Sequence, residues 1–175
     1  MNERTIHAGA QDAGAGIAPS GSGVRGPGPG SGAWEYLDEA AATADGSGEP
    51  QWIIPVRVAR AEGYLLQGEL HQAADEAERA DDVVAGSDGW QRGEVAVWLR
   101  RTGSPRPPRG ELAEPYRLQV AGEWEEASRL WAGLGCPYEA ALALHDASDE
   151  AALRQALKIF TGLGAPAERS GQTTT

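Results

Sequence analysis

From Trp34 onward the apolar positions recur at steps of three and four. Ile54, Val58, Ala61 and Leu65 form one such series, and Leu70, Ala73, Ala77, Ala80 and Val84 form a second. Trp124, Ala127, Trp131 and Leu134 make a third, and Leu153, Ala156, Leu157 and Phe160 a fourth. Each series draws an apolar stripe down one face of a helix, whereas no stretch alternates with period two for long enough to make a strand. The pattern predicts helices near 33–44, 55–67, 70–85, 90–101, 113–121, 124–134, 137–145 and 149–163.

The punctuation between stripes agrees. Gly68, Gly122 and Gly135 fall where a left-handed residue ends one helix and the chain turns. Pro55, Pro115 and Pro137 fall where a first helical turn tolerates a missing N–H. Asp146 followed by Asp149 is expected to form a capping pair ahead of the last helix, which Gly164 and Pro166 then stop. The run from Gly103 to Gly110, with Pro105, Pro107 and Pro108, is the one long irregular connection.

An internal repeat organises these helices. Gly68-Glu69-Leu70-His71-Gln72-Ala73 and Gly122-Glu123-Trp124-Glu125-Glu126-Ala127 share one spacing: a Gly–Glu turn, then an alanine five residues after the glycine. Small residues at Ala73 and Ala127 let antiparallel helices approach closely, and Trp131 fills the large position one turn after Ala127. The two units lie 54 positions apart rather than the 34 of a regular tetratricopeptide array. The expected fold is therefore all-α: stacked antiparallel helical hairpins forming an irregular tetratricopeptide-like right-handed solenoid with strictly local contacts.

Composition sets the boundaries. The first 32 residues contain nine glycines and no aromatic residue, too little apolar surface to offset roughly 1–2 kcal/mol of backbone entropy per residue. The expected organisation is a disordered tail over 1–32, a helical-repeat domain over 33–166 and a disordered tail over 167–175. The N-terminal segment lacks the basic start and apolar core of a secretory signal, and no window approaches 18 consecutive apolar residues. With Cys136 as the one cysteine, no intramolecular disulfide is possible, and a cytoplasmic location is expected. The net charge of −11 is uneven: residues 33–85 carry twelve acidic and three basic side chains, residues 86–110 two and five. An acidic chain is a poor ligand for phosphates, so nucleic-acid binding is not expected.

Candidate chemistry is sparse. His7, His71 and His145 lie far apart in sequence, and one cysteine does not make a zinc cluster, so no metal site or cofactor is expected. Cys136 has no histidine beside it in sequence, and the pairs Asp81–Asp82 and Glu125–Glu126 fall on polar helix faces as solvated charge. No glycine-rich loop sits between a strand and a helix to cradle phosphate. A small hydrolase built on Cys136 or an acid pair remains a distant alternative. Two features point to binding instead. Six tryptophans accompany a single phenylalanine, and tryptophan is enriched at binding faces. Arg100, Arg101, Arg106 and Arg109 make a candidate interaction patch for an acidic or anionic partner beside the proline-rich loop, while Pro105 and Pro108 could serve as a polyproline ligand.

The run Trp131-Ala132-Gly133-Leu134-Gly135-Cys136-Pro137-Tyr138-Glu139-Ala140-Ala141-Leu142-Ala143-Leu144 resembles a signature in the helical-repeat sensor arm of large LuxR-type bacterial transcriptional regulators. The resemblance spans about 34–166, through Gly93-Glu94, Trp98-Leu99-Arg100-Arg101, Glu114-Pro115-Tyr116 and Lys158-Ile159-Phe160-Thr161-Gly162-Leu163-Gly164-Ala165. It implies a protein-interaction or signal-sensing scaffold in transcriptional regulation, not an enzyme. The family's ATP-binding glycine loop has no counterpart in this sequence. Its helix-turn-helix would follow Ala165, where this chain continues only to Thr175, so direct DNA binding is not expected. The alternative expectation is a truncated regulator fragment, inert alone or modulating full-length relatives.

Overall fold

Residues 31–164 are described by the computed structural model, and among them all regular structure is helical. The expected tail up to residue 30, with His7, and the segment from 165 onward lie outside the described residues. The helices are α1 (Ser31–Ser47), α2 (Pro50–Leu66), α3 (Leu70–Val83), α4 (Gly89–Thr102), α5 (Glu114–Ala121), α6 (Trp124–Gly133), α7 (Pro137–His145) and α8 (Glu150–Gly164), with a 3-10 turn over Val84–Gly86 after α3. Helix α1 begins two residues before the expected start of the helical domain at residue 33.

The turns are built alike. Gly68 and Gly122 are left-handed, with φ of 77° and 84°, a conformation that costs an L side chain energy and glycine almost none. Beyond each glycine the next amide reaches back into the helix, Glu69 to the Tyr64 carbonyl and Glu123 to the Leu118 carbonyl, both at 2.9 Å. This six-to-one bond is the Schellman closure, and Gly135 with Cys136 repeats it at the end of α6. Pro115 and Pro137 open α5 and α7 as expected.

Three expectations are corrected. The proline that opens α2 is Pro50; Pro55 lies in the second turn, exposed, where its ring removes the bond an N–H would have made to the carbonyl four residues back. Asp146 does not cap α8, because it is held by Arg101. Asp149 performs that task alone, accepting the Ala152 amide at 2.9 Å. Asp81 is not solvated charge on a polar face but is buried, 1% exposed.

Packing runs in series. Ile54, Val58 and Ala61 of α2 meet Ala77 and Ala80 of α3 and Val95, Trp98 and Leu99 of α4 in the first core. Leu118, Ala127, Trp131, Ala140 and Ala143 form the second, across α5, α6 and α7. Leu144 with Ala152 and Ala156 forms the third, between α7 and α8. Each helix packs against its neighbours in sequence, and α2 also touches α4, so alternate helices share a layer. Ala73 and Ala127, the small positions of the repeat, are both fully buried.

Ion pairs tie the stack beside these cores. Arg57 and Arg60 of α2 both donate to Glu76 of α3, at 2.8 and 3.0 Å, and reach Asp45 and Asp38 of α1 on their other sides. Burial works against both guanidinium charges, and the carboxylate hydrogen bonds outweigh it, so both pKa values rise. The 103–113 connection is strapped to α3 in the same way. Arg109 grips Asp81 with bonds of 2.7 and 2.8 Å, and Arg106 reaches Asp81 at 3.1 Å and Asp82 at 2.6 Å. Burial would raise the Asp81 pKa, but the bonds from Arg109 and Arg106 outweigh it and hold the carboxyl below the usual range.

Candidate functional site

One concave face collects side chains from helices distant in sequence. Helix α2 contributes Glu62, Leu65 and Leu66; α4 contributes Trp98 and Arg101; α7 contributes Tyr138 and Leu142; and Phe160 of α8 closes one end. Together they enclose a groove of about 650 Å³. A smaller pocket of about 100 Å³ opens from it, sharing Glu62, Trp98, Arg101, Tyr138 and Leu142, and reaches down to Glu94, Tyr116 and Glu139.

Two cross-links hold the groove's shape. The Tyr138 hydroxyl donates to Glu62, joining α7 to α2 across 76 positions. Arg101 makes a two-pronged contact to Asp146 through Nε at 3.0 Å and Nη2 at 2.8 Å, with its guanidinium 5.0 Å above the Trp98 ring. Contacts in this stack are therefore not strictly local, which corrects the expectation from the sequence: these two bridges tie α7 to α2 and α4. Tyr138 also packs edge-on against Phe160, with ring centroids 5.6 Å apart. Burial and the hydrogen bond to Glu62 push the Tyr138 phenol up to about 12.

Beneath the groove, aromatic residues set the floor. Tyr116 lies 4.9 Å from Trp131, whose Nε1 donates to buried Gln119 at 2.8 Å, and Trp90 completes a three-ring cluster. Tyr116 can lie there because Gly93 of α4 has no side chain; a Cβ at that position would fall 2.5 Å from the tyrosine ring. Burial, with the Glu94 and Glu139 carboxylates nearby, raises the Tyr116 pKa.

Glu94 is the unusual group of this site. It makes no hydrogen bond or ion pair among the described residues, and burial, reinforced by Glu139, holds its pKa above the usual carboxylate range. An acid bound more tightly to its proton in the folded state destabilises the fold when ionised. That penalty is fully present above the folded pKa and vanishes as pH falls below the unfolded value of about 4.3. Glu94→Gln is therefore expected to raise the thermal midpoint at pH 7, with the gain shrinking toward pH 4. Thermal denaturation followed by circular dichroism across that range checks it, and a gain that grows toward acid pH would contradict the assignment.

The four arginines of the candidate patch do not form one surface. Arg100 and Arg101 face the groove, where Arg100 donates to the Val120 carbonyl at 2.7 Å and stacks 4.8 Å over Trp124. Arg106 and Arg109 serve α3 instead, bound to Asp81. Of the predicted repeat positions, Tyr138 is the one that lines the site, while Gly68, Ala73, Gly122, Ala127, Trp131, Gly135 and Pro137 build the frame behind it. Sequence reading missed Glu62, Glu94 and Glu139. The available signal was weak: acidic residues one helical step from apolar stripe positions, Glu62 after Val58 and Ala61, and Glu94 before Val97.

Other candidate groups are placed plainly. Cys136 is half-buried, its sulfur 3.8 Å from the Leu134 carbonyl oxygen. His71 is exposed beside Asp75, and His145 is exposed at the groove rim. Glu125 and Glu126 are exposed on α6. Among the described residues no three or more His, Cys, Asp or Glu side chains come together as a metal-ligating group, and no helix is long and apolar enough to cross a membrane. Comparison with family models, curated proteins and solved structures finds no match to this chain.

Proposed function

We propose that the chain is a non-catalytic helical-repeat scaffold whose groove receives a segment of a partner protein, in partner contact or signal sensing of the LuxR-type regulatory kind. The observation that carries this reading is the groove itself, about 650 Å³ and walled by five helices, Trp124 of α6 included. It offers exposed Leu66 and Tyr138 beside fixed polar groups, the mixture by which a cleft holds a peptide. The regulatory setting is supported by the resemblance over residues 131–144, since Tyr138 and Leu142 of that run line the groove. In this reading DNA is not the ligand.

An array of synthetic nine-residue peptides, probed with the full chain, tests it. Binding should fall for Leu66→Asp, at an exposed groove position, and persist for Leu157→Asp, the same change on the exposed face of α8. Peptide binding indifferent to Leu66→Asp, or no binding at all, would remove the groove from the function.

A further inference from the structure

The small pocket is lined by three carboxylates, Glu62, Glu94 and Glu139, and by one cation, Arg101. That cation is already matched by Asp146. These three acids are half-buried, and the more deeply buried acids of the fold are placed differently. Glu76 and Asp81, the two buried carboxylates among the described residues, each meet two arginines. In the pocket Glu62 accepts only the Tyr138 hydroxyl, while Glu94 and Glu139 make no hydrogen bond or ion pair among the described residues. The pocket is thus an excess of negative charge held beside aromatic rings, in a chain of net charge −11.

We propose that the groove selects a basic protein segment, seating one lysine or arginine side chain of the partner among Glu62, Glu94 and Glu139, between the rings of Tyr116 and Tyr138. The partner's neighbouring apolar residue lies in the wider groove against Leu65, Leu66 and Leu142. This rests on the scaffold reading above and names the chemistry of its partner. Charge complementarity supports it first: an ammonium or guanidinium supplies the cation that these three half-buried carboxylates lack, as Arg57, Arg60, Arg106 and Arg109 supply it to Glu76 and Asp81. The rings support it second, because their faces are negative and attract a desolvated cation. Size supports it third, since about 100 Å³ takes the end of one long side chain, and the residues shared with the groove make the two spaces continuous. The three carboxylates are not a metal-ligating group, which favours an organic cation over a metal ion. Burial raises the Glu94 pKa, a cost in stability that a bound cation relieves.

The test uses the full chain and fluorescein-labelled nine-residue peptide pools with Lys, Arg, Gln or Glu at the centre and Leu, Phe, Ser or Gly randomised at the flanks. Fluorescence anisotropy should show the Lys- and Arg-centred pools binding at least about tenfold tighter than the Gln-centred pool. Glu94→Gln should weaken those two pools by at least about tenfold while leaving the chain more heat-stable, so the loss is not a folding defect. Glu125→Gln with Glu126→Gln, which removes surface charge from α6, should change binding less than about twofold. Equal binding of all pools, abolished by Leu66→Asp, would overturn the cation inference and keep the scaffold reading. No binding by any pool would overturn both. An equal loss in the α6 control would mean general charge attraction and overturn the pocket. n-Butylammonium binding as tightly as the basic pools would overturn the selection of a protein segment, because the groove would then add nothing to the cation.

Discussion

Glu76→Ala is expected to cost about 3–5 kcal/mol, the largest loss from any single charged side chain in the stack. Glu76 is 5% exposed and receives hydrogen bonds from Arg57 and Arg60, themselves 6% and 9% exposed. Truncation leaves two buried guanidiniums side by side, held only by Asp45 and Asp38, whose side chains are 50% and 66% exposed. Water screens those outer pairs, so they replace little of what is lost. Against a typical stability of about 5–15 kcal/mol, the change removes a large share of the margin. Urea denaturation of the variant should show a lower midpoint at an unchanged slope. The triple variant Arg57→Leu, Arg60→Leu, Glu76→Leu separates the cost of a broken pair from the worth of an intact one. If the network serves register more than stability, the triple variant will sit close to the parent. A loss below about 1 kcal/mol for Glu76→Ala would mean that water reaches the arginines, and the network would be a surface feature.

That network was written in the sequence, though not in its periodicity. Arg57 stands inside the α2 stripe, three positions after Ile54 and four before Ala61, Arg60 follows Arg57 by three, and Glu76 stands between Ala73 and Ala77 in the α3 stripe. A stripe pattern records which face of a helix is buried and is silent on which partner each charge meets there. The helices themselves were legible because spacing of three and four, glycine C-caps and proline starts are all local. Reading Pro55 as a first-turn residue moved the start of α2 five residues too late, since local rules also admit a proline one turn inside. Arg106 and Arg109 looked like a free patch because sequence places them beside Arg100 and Arg101. Their partner Asp81 lies 25 and 28 positions earlier, on a helix that the loop must cross. The groove was the least legible part. It depends on Tyr138 meeting Glu62 across 76 positions, a matter of curvature accumulated over several turns.

Trp131→Ala should cost about 3–5 kcal/mol and should loosen one half of the molecule more than the other. Trp131 is 4% exposed and sits in the core of α5, α6 and α7 with Leu118, Ala127, Ala140 and Ala143. Removing the indole opens a cavity between Tyr116 and Trp90, and it strands the Gln119 side chain, 2% exposed, without the donor it accepts at 2.8 Å. Trp131→Phe separates these effects: it keeps most of the bulk, loses the N–H, and should cost about 1–3 kcal/mol. The position of the damage follows from the packing. Helix α6 leans on α5 and α7, and α7 on α8, while α2 and α3 complete a separate core with α4. Between the halves run the α4–α5 contact, the α4–α6 contacts of Trp90 with Trp131 and of Arg100 with Trp124, and the two side-chain bridges, Arg101 to Asp146 and Tyr138 to Glu62. In a stack whose units depend on their neighbours, hydrogen exchange should therefore accelerate over residues 113–163 and stay close to the parent over 55–85. The groove should widen with it, because Tyr138 and Leu142 ride on the loosened α7. Equal loss of protection in both halves would mean that the bridges make the whole chain one cooperative unit, with the groove as its hinge-free core.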